Sequence, residues 1–158
     1  MSAPAVAAEA LAVDPLQREI LLEELVSLVV SLSGSEACEP WEDLAAAVAA
    51  GEVEGPLLGR LETILEMTLQ TGRARRIHGA DGEQALLRLF HQTPKGAAAR
   101  RATRAVNETL ASLRGQSFEG ALFTVQGPGV LRLGLQTDRC KLTLEIDRHG
   151  VSVESLEA

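Results

Sequence analysis

The stretch ALFTVQGPGVLRLGLQTDRCKLTLEIDRHGVSV, residues 121–153, decides the fold class of this chain. Apolar and polar residues alternate along it with a period of two, which is typical of strands that bury one face. Three turn-forming segments interrupt the alternation, at 127–129, 137–139 and 147–150. Each is short enough to join neighbouring antiparallel strands, so the stretch predicts a four-stranded meander. Its polar face is expected to carry Arg132, Lys141, Thr143, Glu145, Ser152 and Glu154.

Upstream of Gly115 the apolar residues recur at helical spacing, which predicts helices. Asp14 and Pro15 match the N-cap and first position of a helix, and Gln17 completes a capping box. Further helices are expected from Pro40 to Gly51, from Pro56 to near Gly72, after a loop at 78–82, and from Thr93 and Pro94 to about Leu113. The pattern indicates an α+β fold: an N-terminal helical bundle of about five helices, then a C-terminal four-stranded antiparallel β-meander packed on the helices.

The length and composition fit a globular protein with one domain. The chain has 158 residues, of which 46% are apolar and 23% are charged. We expect a flexible, alanine-rich N-terminal tail at 1–13 and a single α+β domain at 14–158, helical to 114 and β-structured from 115. The tail lacks the basic residues of a signal peptide. The most apolar stretch, 20–32, is too short and too charged to span a bilayer, so a cytoplasmic protein without membrane association is expected.

That apolar stretch also suggests self-association. Its apolar residues cover most of the circumference of the first predicted helix, whereas a helix with one wet face shows a narrower stripe. Such a helix must be covered on several sides, either at the centre of a bundle or in a dimer interface. We therefore expect a homodimer, which could belong to a larger complex. The candidate contact residues are Ile20, Leu21, Leu25, Leu28, Val29 and Leu32.

Charge is sorted along the chain in blocks of opposite sign. Residues 1–72 carry 13 acidic and two basic side chains, a net of −11, whereas residues 73–114 carry nine basic and three acidic ones, a net of +6. Opposite blocks either neutralise each other in the fold or attract partners of opposite charge. The candidate anion-binding or partner-binding arginines of the basic block are Arg73, Arg75, Arg76, Arg100, Arg101 and Arg104.

The segment HQTPKG, residues 91–96, lies at a predicted helix start. Free backbone N–H groups and the helix dipole favour an anion at such a position. The candidate anion-binding or partner-binding residues of this segment are His91, Thr93, Lys95 and Gly96. The alternative interpretation is an ordinary helix cap with a solvated lysine, because the glycine-rich spacing of a phosphate loop is missing.

Motifs of catalysis or metal binding are missing from the sequence. The three histidines and two cysteines show no metal-ligand spacing, and no GxSxG nucleophile elbow occurs. We therefore expect no catalytic residues, no metal and no cofactor. A small enzyme would need a pocket in which His91 or His149 meets a carboxylate.

The expected function is that of a non-catalytic cytoplasmic accessory or adaptor protein. It would self-associate and dock on a protein partner through charge-complementary surfaces. The alternative is a nucleic-acid or phosphate-ligand binding module that uses the central arginines and the helix start at Thr93–Gly96. The net charge of −7, together with only four aromatic residues, favours a protein partner over nucleic acid.

Overall fold

The computed structural model describes residues 10–34 and 36–158. Its helices are α1 (Pro15–Ser31), α2 (Glu39–Ala50), α3 (Gly55–Gln70), α4 (Arg73–Gln92) and α5 (Pro94–Ser112), and its strands are β1 (Leu11–Ala12), β2 (Glu52–Val53), β3 (Phe118–Gly127), β4 (Val130–Thr137), β5 (Lys141–Asp147) and β6 (Gly150–Glu157). The last four strands form an antiparallel sheet in the order β3-β4-β5-β6. The predicted α+β fold, with five helices before a four-stranded meander, is confirmed. Among the described residues, no helix combines the length and the apolar character needed to cross a bilayer.

The chain divides into two compact units at the first turn of α5, between Lys95 and Gly96. We expected a single domain whose helical and β parts meet near residue 114. The division falls earlier because α5 contributes to the core of the sheet, where its Val106 packs with Leu142 and Leu144.

The start of the described chain is ordered by pairing with a second short strand. Leu11–Ala12 pair antiparallel with Glu52–Val53, and Val13 is buried and donates its N–H to the carbonyl of Gly51 at 2.9 Å. The predicted flexible tail therefore does not extend to residues 11–13, because this ladder satisfies their backbone. The remainder of that prediction, residues 1–9, lies outside the described residues.

The first unit begins with the predicted capping box. The N–H of Gln17 donates to Oδ1 of Asp14 at 2.8 Å, and the N–H of Asp14 donates to Oε1 of Gln17 at 3.0 Å. Helix α1 then packs against α2, α3 and α4. The fully buried side chains at the centre of this unit include Leu21, Leu25, Leu44, Val48, Leu61, Ile64, Leu65, Leu86 and Leu89.

Where the sequence predicts a loop at 78–82, the structure has a helix that is broken at a single residue. Helix α4 runs through this segment, and only Gly79 leaves the helical conformation, with φ of 71° and ψ of −173°. This backbone region is accessible almost exclusively to glycine. One glycine therefore changes the direction of the chain where we expected a five-residue loop.

The sheet of the second unit has one face covered by α5. In its register Leu133 lies between Phe123 of β3 and Leu144 of β5, so these side chains share a face. Leu133 and Leu144 pack against Val106 of α5 and against Leu113, which directly follows the helix. The alternation predicted from sequence thus places the apolar side chains of the central strands beneath the helix.

Candidate protein-docking surface

A buried carboxylate engages the first arginine of the basic block. Oε2 of Glu24, on α1, accepts a hydrogen bond from Nε of Arg73 at 2.6 Å, and Oε1 of Glu24 is hydrogen-bonded to Nε2 of His78 at 2.9 Å. The Glu24 side chain is only 5% exposed. The two bonds therefore compensate the loss of solvent around its charge. Arg73, a predicted partner-binding residue, is engaged within the first unit.

The pairing of His78 with Glu24 was missed in the sequence. The two residues lie 54 positions apart, and no local pattern links them. The Nδ1 atom of His78 lies 3.6 Å from Oε2 of Glu23, and the histidine side chain is 8% exposed. Because both ring nitrogens face carboxylates of α1, the pair is closed to a substrate and acts as a structural contact.

The neighbouring arginines are less firmly engaged. Arg75 lies 3.8 Å from Glu83, and its side chain is mostly exposed. An exposed pair at this distance contributes little to stability. The Arg76 side chain is exposed and forms no ion pair with any residue in the described parts of the chain. Within this group, internal neutralisation is therefore strong only at Arg73.

The predicted anion site at the start of α5 contains an anion from the protein itself. Oε1 of Glu62, a buried residue of α3, accepts a hydrogen bond from the N–H of Lys95 at 2.7 Å. Nζ of Lys95 lies 3.1 Å from Glu66. The helix start favours an anion as predicted, but the internal carboxylate takes the position we assigned to an external ligand.

The other residues of that segment divide between core and surface. Thr93 is fully buried, and its hydroxyl donates to the carbonyl of Phe90 at 2.8 Å. Gly96 is also buried, while His91 is exposed with its ring 6.3 Å from the ring of Phe90. Thr93 is the C-cap residue of α4 and Gly96 lies in the first turn of α5, and both are covered by protein, as the cap interpretation expects.

Replacing Glu62 with alanine tests whether its carboxylate stabilises the start of α5. We expect the free energy of unfolding to fall by about 1–2 kcal/mol, because the N–H of Lys95 loses its acceptor. Urea denaturation measures the change. Replacing Glu66 with alanine is the control. Its ion pair is with the exposed ammonium group of Lys95, so its loss should cost less than about 1 kcal/mol. Equal losses in the two variants would contradict the role of Glu62.

Three exposed cations of the basic block lie close together on α5. Arg100, Arg101 and Arg104 are exposed, and within residues 10–34 and 36–158 none of them forms an ion pair with a carboxylate. Arg104 follows the other two at spacings of three and four, so all three border one side of the helix. We call these three residues the arginine face. They are brought together by the helix itself and belong to the second unit.

The residues predicted for self-association are mostly used inside the first unit. Ile20, Leu21 and Leu25 are buried in its core, because α2, α3 and α4 cover this side of α1. They are therefore not available to a second copy, and the prediction is wrong for them. Leu28 also packs against this core, whereas Val29 and Leu32 are half-buried.

An apolar surface does exist, but on the sheet. Strand β3 is an outer strand of the sheet and exposes four large apolar side chains, more than any other element among the described residues. These are Phe118, Leu122, Phe123 and Val125. The meander predicted from the sequence already puts its first strand at an outer edge. The apolar periodicity does not show that the side chains of this strand stay exposed, because their exposure depends on what else packs there.

The polar face of the sheet forms an open groove of about 750 Å³. Four of the residues predicted for this face line it: Arg132, Lys141, Thr143 and Glu154. Arg132 forms an ion pair with Glu154, so its charge is balanced within the sheet. Gly120 and Gly134 also line the groove and leave space there because they carry no side chain.

Metal-binding geometry is not found in the described parts of the chain. No group of three or more histidine, cysteine, aspartate or glutamate side chains there could hold a metal ion. Cys140 is buried in the second unit, with its Sγ 3.2 Å from Oε1 of Gln116. Cys38 is half-buried, with its Sγ 3.0 Å from the carbonyl oxygen of Leu32. The two thiols therefore have local partners in different units.

The chain was compared with protein-family models, with curated proteins and with solved structures. None of the three comparisons gives a match.

Proposed function

We propose that this protein is a non-catalytic accessory or adaptor protein that docks on an acidic surface of a protein partner through the arginine face. One observation carries the proposal. Arg100, Arg101 and Arg104 are exposed without a carboxylate partner among the described residues, while Arg73 and Lys95 of the same basic block are bound by carboxylates of the first unit. The chain thus neutralises some of its basic residues internally, and Arg100, Arg101 and Arg104 form a compact group among the exposed cations that an external anion could contact.

The arrangement of these cations supports a binding role. Arg100 and Arg104 lie four residues apart on α5, where like charges destabilise a helix by about 0.2–0.5 kcal/mol. An external carboxylate relieves this repulsion. Arginine also suits carboxylates because its planar guanidinium group donates two parallel hydrogen bonds to them.

A protein partner fits these observations better than nucleic acid. Binding to nucleic acid uses many phosphate contacts along an extended basic surface, whereas the arginine face comprises three residues within two turns of a helix. The net charge of −7 opposes any anionic partner, but it opposes a long polyanion such as nucleic acid more strongly than a local acidic patch on a protein. The chain also has one tryptophan, three phenylalanines and no tyrosine, which leaves few side chains for base stacking.

The proposal includes action in the cytoplasm. Both cysteines, Cys38 and Cys140, are free thiols. Free thiols and the lack of a disulfide framework are typical of proteins in a reducing compartment. Fractionation of cells that produce the tagged protein checks this location, and recovery in the secreted fraction would contradict it.

Removing the arginine face should weaken binding to an acidic protein surface. The probe is a fluorescein-labelled glutamate-rich helical peptide, and fluorescence anisotropy measures its affinity at low and high salt. We expect the triple change Arg100→Ala, Arg101→Ala, Arg104→Ala to weaken binding by roughly tenfold or more at low salt, because it removes three attractive charges. Wild-type binding should weaken as salt rises.

The matched control changes three other exposed arginines of the second unit to alanine: Arg114, Arg139 and Arg148. Both triple variants alter the net charge equally, so a purely long-range electrostatic effect would weaken peptide binding to the same extent in both. Equal weakening would therefore contradict a specific arginine face. The affinity of the wild-type protein for a labelled DNA duplex is measured under the same salt conditions. Tighter binding of the duplex than of the peptide would reject the protein partner in favour of nucleic acid.

A further inference from the structure

Strand β3 has an unprotected outer edge. It is the longest strand of the sheet, and its only hydrogen-bonded neighbour among the described strands is β4. Its backbone therefore offers a row of N–H and C=O groups on the other side. The side chains of this strand are exposed as well, Phe123 at 61% and Val125 at 75%.

The usual protections of an outer strand are missing from the middle of β3. Natural sheets protect such edges with charges, proline, bulges or very short strands. Residues 120–127 contain no charged residue and no proline, and the register with β4 is regular from Gly120 to Val125. The opposite outer strand, β6, carries Glu154 and Glu157 and has an irregular register opposite Thr143 and Leu144. Strand β3 has its register shifts near its two ends, at Phe118/Gly120 and at Val125/Gly127, which leaves a regular, uncharged stretch at 120–125. Strand β6 is interrupted and charged within its length, so the two edges of the sheet differ.

We infer that β3 pairs with β3 of a second copy of this chain, antiparallel and about a two-fold axis at Phe123. The result is a continuous eight-stranded sheet that spans two second units. This inference rests on the exposed edge and is independent of the arginine face. It moves self-association from α1, whose apolar side chains form the core of the first unit, to the sheet.

The chemistry of β3 favours its own copy as the occupant of this edge. Side chains alternate between faces, so a register that pairs odd-numbered with odd-numbered positions keeps the faces in common. With Phe123 opposite itself, Ala121 faces Val125 of the second copy, and apolar side chains continue across the junction. Glu119 is the only charged residue of β3. It lies at the register shift near the start of β3, so an antiparallel pair keeps the two glutamates at opposite ends of the junction and like charges do not meet.

Phe123→Lys should separate the two copies. The change places two ammonium groups opposite each other and adds the charge that outer strands use against pairing. Light scattering after size exclusion at tens of micromolar protein should give twice the chain mass of 16.8 kDa for the wild type and the chain mass for the variant. We expect the dissociation constant of the dimer to rise roughly tenfold or more. Circular dichroism checks that the variant is folded. We expect it to fold because Phe123 is exposed and its replacement removes little buried surface.

Two further variants make the test specific. Leu156→Lys, an equivalent change at an exposed apolar residue of the opposite edge strand, should leave the dimer intact. Phe123→Glu alone should also be monomeric, and mixing it with Phe123→Lys should restore a dimer, because opposite charges then meet at the axis. A monomeric wild type, a dimer unaffected by Phe123→Lys, equal disruption by Leu156→Lys, or a mixture that stays monomeric would each overturn the inference.

Discussion

Replacing Glu24 with alanine should lower the free energy of unfolding of the first unit by about 3 kcal/mol. The carboxylate is buried and holds Arg73 at 2.6 Å and His78 at 2.9 Å, so its removal leaves two polar groups without their partner. The gain in helix propensity from alanine is only a few tenths of a kcal/mol and does not offset this loss.

Fluorescence of Trp41 is suited to this measurement. It is the single tryptophan of the chain and packs against the core of the first unit, so its signal follows the unfolding of that unit. The control is Glu23→Ala at the adjacent, mostly exposed carboxylate, which lies 3.6 Å from His78. We expect that change to cost less than about 1 kcal/mol. A loss at Glu24 as small as the loss at Glu23 would show that the buried cluster does not hold α1 and α4 together.

Gly82→Ala should destabilise the first unit by about 1–3 kcal/mol, although alanine is the better helix former. A Cβ atom at this position would lie 2.4 Å from Cβ of His78 and 3.2 Å from Cδ1 of Ile20. The Cβ atom of His78 is attached directly to the backbone. It cannot move aside without shifting the helix break at Gly79 and the contact with Glu24.

Gly59→Ala provides the matched comparison. Gly59 lies within α3, and a Cβ atom there meets nothing within 4 Å. We therefore expect this change to stabilise the unit by about 0.5–1 kcal/mol through helix propensity alone. The two substitutions are chemically identical, so opposite signs in urea denaturation isolate the packing at Gly82. Stabilisation by both would contradict the close approach of Gly82 to His78.

Local features of the fold were predictable because their physical cause lies within a few residues. The capping box of Asp14 and Gln17 joins positions three apart, and the strand alternation follows from the two-residue period of the backbone. The turns between β4, β5 and β6 likewise depend on short segments. These elements are therefore found where the sequence indicated them.

The candidate sites depended on contacts between distant residues. The sequence showed that residues 73–114 are basic, yet it left open which of them meet the acidic residues of the first block. Glu24 reaches Arg73 across 49 positions, and Glu62 reaches Lys95 across 33. Arg100, Arg101 and Arg104 have no such partner in the described chain. Helix packing decides which basic residues of this block meet a carboxylate and which do not, and packing cannot be read from the composition.

The sequence by itself determined the order of the five helices and of the four strands of the C-terminal sheet, together with the hairpin connections of that sheet. Periodicity, caps and turns act over short distances and are written directly in neighbouring residues. Only the tertiary structure decided that the buried apolar residues of α1 serve their own core, that a buried glutamate occupies the start of α5, and that the large apolar side chains of β3 stay exposed. These outcomes depend on which surfaces meet, and the same apolar or charged side chain can be covered from within the chain or from outside it.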